Sequence, residues 1–157
     1  MTFKLHDDLI QTCIEVQRFP LCRVLLNNDS NYPWIILVPE RTDIKEIHEL
    51  SAADRSILIE EIAAVSAAIS SEFNADKINV GALGNATPQL HIHVIVRFKT
   101  DPAGLGPVWN AGAAQPYTEA PLDAMLNRLR RAFAKTAYST APQSKRVDPE
   151  SSRGSTK

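Results

Sequence analysis

His91 and His93 stand two residues apart in the run NATPQLHIHVIVRFK, residues 85–99. Read with a period of two, Gln89, His91, His93, Ile95 and Arg97 share one face, and Leu90, Ile92, Val94, Val96 and Phe98 make the other wholly apolar. Strand residues so spaced have Cα atoms about 6.5–7 Å apart, so both imidazoles can converge on one small ligand. Three readings fit the pair. In the plainest, the histidines are polar residues of a solvated sheet face. A second is metal: H-x-H is a start for zinc, which needs a third protein ligand. The candidates for it, His6, Cys22 and His48, stand at no diagnostic spacing, and no H-E-x-x-H is present. The third is nucleophilic attack on phosphorus. A neutral imidazole nitrogen attacks well near pH 7 when its other nitrogen donates to a fixed acceptor. The second histidine then hydrogen-bonds a phosphate oxygen or protonates the leaving group. Just upstream, GALGNATP brings two glycines and Asn85, a loop whose N–H groups can form a concavity for charged oxygens. The compactness of this set favours the third reading.

The elements that must hold these groups are legible in outline. KLHDDLIQTCIEVQRF, residues 4–19, has Leu5, Leu9, Ile10, Cys13 and Val16 near a helical period, and Pro20 lies beyond it. LCRVLLNN and PWIILVPE read as strands joined through the turn-forming NDSNYP into an antiparallel hairpin, with Pro39 closing the second. A long helix starts after Ser51, with Asp54 completing a capping box and Leu58, Ile62, Val65, Ile69 and Phe73 as its apolar stripe. KINVGAL is the next strand, and the histidine segment the one after. Residues 100–116 are irregular, rich in proline and glycine. A last helix buries Leu122, Met125, Leu126, Leu129 and Phe133, and the four basic residues of LNRLRRAFAK read as its solvated face. Residues 139–157 lack an apolar cluster and are expected to form a disordered tail. The order of elements predicts an α+β domain with an antiparallel sheet.

At 157 residues and 44% hydrophobic, the chain fits one domain with one core. A net charge of −1 argues against a broad nucleic-acid surface. Residues 1–12 lack the apolar run of a signal peptide, and no stretch matches a membrane span, so cytoplasmic residence is expected. Cys13 and Cys22 are isolated and read as buried thiols.

With these residues in view, the chain resembles the histidine triad superfamily of nucleotide hydrolases and transferases, in its diadenosine polyphosphate hydrolase-like branch. That signature is a strand reading His-φ-His-φ-His-φ-φ, with φ apolar, matched here by Gln89-Leu90-His91-Ile92-His93-Val94-Ile95. RVLLNNDSNYPWIILVPE is similar to the family's nucleoside-binding hairpin, and DIKEIHELSAAD to the stretch leading into its long helix. The likeness runs from about residue 3 to residue 100, with 101–138 as a loop and helix packed on the same domain. It implies a five-stranded antiparallel sheet, a homodimer in which two such sheets join, and a nucleotide substrate, with no cofactor, metal, nucleic-acid polymer or membrane.

The resemblance places His91 as the nucleophile and His93 beside the scissile phosphate. Gln89 stands where the first histidine of the triad would be. Asn27 falls on a ribose-contacting position, Leu25 on a wall of the base pocket, and Asn85 and Thr87 on the phosphate-contacting loop. Asn85 replaces the usual Gln there, and Ala86 supplies no hydroxyl. If the first triad residue acts through its backbone carbonyl, Gln89 costs little; if its side chain relays protons, activity falls. The implied reaction is attack on the α-phosphate of a dinucleoside polyphosphate or nucleoside phosphoramidate. A nucleotide-binding protein with weak or absent chemistry is the first alternative, and a metal-dependent enzyme the second. Other residues are read in their local setting. His48, before the Ser51 cap, reads as structural; either tryptophan ring can stack on a base, but Trp34 reads first as core or edge packing, and Trp109 as a residue that closes over the site or meets a partner. Arg97 and Lys99 read equally as phosphate contacts or ordinary strand-end cations.

Overall fold

The computed structural model describes residues 1–138, so the expected tail, 139–157, lies outside the described residues. Five strands form one antiparallel sheet in the order β1-β2-β3-β5-β4. They are β1 (Cys13–Arg18), β2 (Cys22–Asn27), β3 (Trp34–Pro39), β4 (Lys77–Gly81) and β5 (Ile92–Arg97), with α1 (Asp7–Thr12), α2 (Ala52–Phe73) and α3 (Glu119–Phe133).

The N-terminal segment differs from its helical reading. Only Asp7–Thr12 is helical, and Cys13–Arg18 is a strand paired with β2 from Cys13↔Asn27 to Arg18↔Arg23. Leu5 and Leu9 keep the helical spacing and are buried, but Ile10 is exposed. Beyond them, Ile14 and Val16 are β-branched and alternate with Glu15 and Gln17, which suits a pleated strand better than a helix. A register shift between Glu15 and Gln17 bulges the strand.

The two faces of the sheet are covered differently. Val24, Leu26, Ile35, Leu37, Ile92, Val94 and Val96 pack beneath α2 and α3 with Leu58, Val65, Ile69, Leu129 and Phe133. Leu25, Trp34, Ile36, Val38 and Ile95 form a second cluster on the opposite face, under Leu5, Leu9, Tyr32 and Val108. The histidine-bearing face is therefore not solvated, and every residue of β5 is buried.

Ser51 caps α2 by accepting from the Asp54 N–H at 3.0 Å. The Asp54 carboxylate does not complete the expected box; it takes the Arg41 guanidinium in two bonds of 2.8 and 2.7 Å. Glu61 interrupts the apolar stripe of α2 and is fully buried, accepting from the Leu21 and Cys22 N–H groups at 2.8 and 3.0 Å. On α3 the basic side chains are not simply solvated. Arg128 bonds Glu72 and lies over the Phe73 ring, and Arg130 donates to the Val16 carbonyl.

The irregular segment after β5 is organised by Arg97. Its guanidinium, on a residue only 6% exposed, reaches Asp101 at 2.7 and 3.0 Å, Asn79 at 2.8 Å, and the carbonyls of Gly104 and Gly106 at 3.0 and 2.8 Å. Farther on, Asp29 and Asn28 accept from the N–H groups of Gln115 and Tyr117. These contacts lay the segment across the histidine face and carry Val108 and Trp109 onto it.

Candidate active site

The register of the sheet builds the site. Leu25 on β2 lies opposite Ile36 on β3, Ile36 opposite His93 on β5, and His93 opposite Gly81 on β4. His91, two residues before His93, shares its face, and both histidines are 6% exposed. Their ring centroids are 4.9 Å apart at 67°.

His91 Nδ1 lies 2.6 Å from the Gln89 carbonyl oxygen, so this nitrogen donates and the lone pair is left on Nε2. That is the form a nucleophilic imidazole needs, and it is enforced by backbone. The Gln89 side chain points elsewhere: its Oε1 accepts from the His6 N–H and its Nε2 donates to the Lys4 carbonyl, each at 2.9 Å. The amide thus behaves as one rung of a β-ladder, fastening residues 4–6 to the strand that carries the site.

His93 is enclosed by aromatic rings, Trp34 at 5.6 Å and Trp109 at 5.2 Å between centroids. Trp34 Nε1 lies 2.9 Å from His93 Nδ1, and the Leu83 carbonyl lies 3.4 Å from His93 Nε2. Burial, and secondarily the repulsion that two protonated neighbouring imidazoles would feel, lowers the pKa of His93 to about 4, so His93 is neutral at pH 7.

The loop over the histidines is tight where Gly84 sits. A Cβ there would meet the Thr87 carbonyl at 2.8 Å, a clash, and would stand 3.6 Å from Cε1 of His91. Glycine is needed there for the close approach to the Thr87 carbonyl; the distance to the imidazole is an ordinary van der Waals contact. Asn85 is exposed, beside Gly84. The Thr87 hydroxyl donates to Asp8 at 2.7 Å. Leu25 is buried on the histidine face, and Asn27 ends β2 on the same face, half-buried, with Oδ1 4.0 Å from Cys13 Sγ.

Several other candidates lie elsewhere. His48 is exposed in the short 3-10 turn before α2. Arg97 is committed to Asp101 and the segment after β5, not to an outer phosphate. His6 caps α1 through Nδ1, and Cys22 is buried beneath the opposite face of the sheet. Among the described residues no three His, Cys, Asp or Glu side chains gather around one point, and no helix is long and apolar enough to cross a membrane. Trp34, which its place at the head of an apolar strand makes read first as packing, contacts the site directly. The available signal was that a buried indole N–H needs a polar partner.

Comparison with known proteins gives a family. The HIT-domain model matches residues 11–100. Among solved structures, a histidine triad protein from Marinobacter aquaeolei is 41% identical, with a TM-score of 0.84 over 87% of this chain and 100% of that one. One from Sinorhizobium meliloti is 42% identical, with a TM-score of 0.81 over 83% and 97%. One from Bradyrhizobium japonicum is 37% identical, with a TM-score of 0.82 over 85% and 99%. No curated protein matches the chain.

Proposed function

The chain belongs to the HIT-domain family, and from that membership we propose that it is a nucleotide hydrolase or nucleotidyl transferase working through a nucleotidyl-histidine intermediate. Its substrate is a dinucleoside polyphosphate or a nucleoside phosphoramidate. His91 Nε2 attacks the α-phosphorus, forming a P–N bond as the P–O or P–N bond to the leaving group breaks with its electron pair. Water, or another acceptor in a transfer reaction, then attacks the same phosphorus. The P–N bond to His91 breaks, and nucleoside monophosphate or its transferred ester leaves.

The observation that carries this reading is the 2.6 Å bond from His91 Nδ1 to the Gln89 carbonyl, which leaves Nε2 as the free lone pair. His93, beside it and neutral, stands at the phosphate and leaving group, and the Gly84-Asn85 loop supplies donors to the α-phosphate oxygens. Leu25 lines the base pocket and Asn27 meets the ribose; Thr87 contributes through its backbone while its hydroxyl stays on Asp8. The protein acts as a homodimer, a reading supported by the edge of β4, which pairs with no further strand among the described residues and exposes Val80 and Leu83.

The test is release of nucleoside monophosphate from diadenosine tetraphosphate and from adenosine phosphoramidate by wild type and His91→Ala. The expected result is turnover that falls by more than about 1,000-fold in His91→Ala while nucleotide binding persists. Binding without turnover by wild type on every substrate would mean a nucleotide-binding protein instead.

A further inference from the structure

The two histidines face one another with opposite hydrogen-bonding characters, and a different part of the chain imposes each. For His91 the imposing group is the Gln89 carbonyl. For His93 it is an indole. A tryptophan N–H donates and never accepts. At 2.9 Å from Trp34 Nε1, His93 Nδ1 must therefore be the acceptor. Neutral imidazole has one donor and one acceptor, so the proton of His93 sits on Nε2. The far side of the ring agrees: Nε2 faces the Leu83 carbonyl at 3.4 Å, an acceptor too distant to hold the proton firmly. That N–H is free to donate a hydrogen bond to a ligand oxygen.

We propose that Trp34 is a positioning residue which locks His93 as the Nε2–H tautomer, so that His93 meets the substrate phosphate as a neutral hydrogen-bond donor and not as a second nucleophile. Trp34 is rigid enough for the task. It is 7% exposed, paired with Ile95 across the strands, and wedged edge-on between Tyr32 and Trp109 at 6.1 and 6.2 Å. The arrangement also sets what His93 does in the reaction. Protonating Nδ1 would break the bond to Trp34, so His93 holds a hydrogen bond to the phosphate or departing oxygen and does not arrive as an imidazolium. The catalytic consequence rests on the proposed function; the tautomer does not.

The experiment is nitrogen-detected NMR of the histidine rings at pH 7 in wild type and Trp34→Phe, beside kcat and KM for adenosine phosphoramidate. In wild type, His93 is expected with Nε2 protonated and Nδ1 bare. Trp34→Phe keeps an aromatic ring but removes the N–H. It should give a mixture of His93 tautomers and lower kcat by roughly tenfold or more with a smaller change in KM. Trp34→Gln, which returns an N–H donor, should recover part of the tautomer preference. A proton on Nδ1 of His93 in wild type overturns the proposal. So does a Trp34→Phe protein that loses kcat with the Nε2–H form intact, because the indole would then act only as packing. Should Trp34→Phe fail to fold, the wild-type tautomer still decides. Absent turnover with the tautomer as expected would count against the nucleotidyl-transfer reading alone.

Discussion

At Gln89 one residue serves the site through its backbone and the fold through its side chain. Its carbonyl orients His91, and any residue supplies that carbonyl. The side chain needs an adjacent donor and acceptor on one planar group to meet the His6 N–H and the Lys4 carbonyl together. An imidazole carries its donor and acceptor on separate sides of the ring and cannot make that paired contact. The glutamine side chain is thereby explained as an anchor for the N-terminal segment. Gln89→Ala should lower stability by about 1 kcal/mol for two hydrogen bonds, one part-buried and one exposed, and raise amide exchange in residues 4–6. Its cost in kcat/KM should stay within about tenfold, against the far larger loss from His91→Ala. A loss in Gln89→Ala as large as that of His91→Ala, with the fold intact, would assign the side chain a proton-relay role. The two histidines were legible from their spacing. The direction of the Gln89 amide was not, because its partners lie more than eighty residues away in the chain.

The elements most plainly written in the sequence are those whose period is long and unbroken. The apolar stripe of α2 and the alternation of β5 both led to the right element. The strand β1 did not, because six residues of strand follow six of helix without a break, and the apolar positions Leu5, Leu9, Cys13 and Val16 run across the join. What decides between the two is pairing with β2, a partner that local spacing does not reveal. Glu61 is a similar case: a carboxyl group on the buried face of a helix reads as a flaw until the turn between β1 and β2 is placed against it. There both oxygens accept backbone N–H groups that have no place in the ladder. Glu61→Gln keeps the volume but sets an NH2 against one of those donors. We expect it to cost about 1–3 kcal/mol, read as a lower midpoint in chemical denaturation. A midpoint unchanged from wild type would show that the turn does not depend on this carboxyl group.

Across the whole molecule, the site exists because the sheet is covered on both faces by unequal means. One face carries the two long helices and the main core. The other carries a short helix and an irregular segment, fastened by side chains: Gln89 and Thr87 hold the N-terminal residues, and Arg97 gathers the carbonyls after β5. Burial on this second face removes water from His93, which sits between Trp34 and Trp109. The sheet has two edges. At β1, Glu15 and Arg18 form an ion pair, and Arg23 from the neighbouring strand reaches Glu15 as well; such charges discourage pairing. The edge at β4 is Lys-Ile-Asn-Val-Gly, with Val80 half exposed and Leu83 just beyond it also exposed. An edge of this kind is a template for another strand, and in a symmetric pair the strand it meets is its own copy. We therefore expect the protein to run at about 35 kDa by light scattering, twice the 17.3 kDa of one chain. Val80→Lys places a charge on that edge and should shift the mass toward one chain while leaving the His91 and His93 environment intact by NMR. A wild-type mass of one chain at all concentrations would remove the dimer from the proposal and leave β4 as an edge in use for something else.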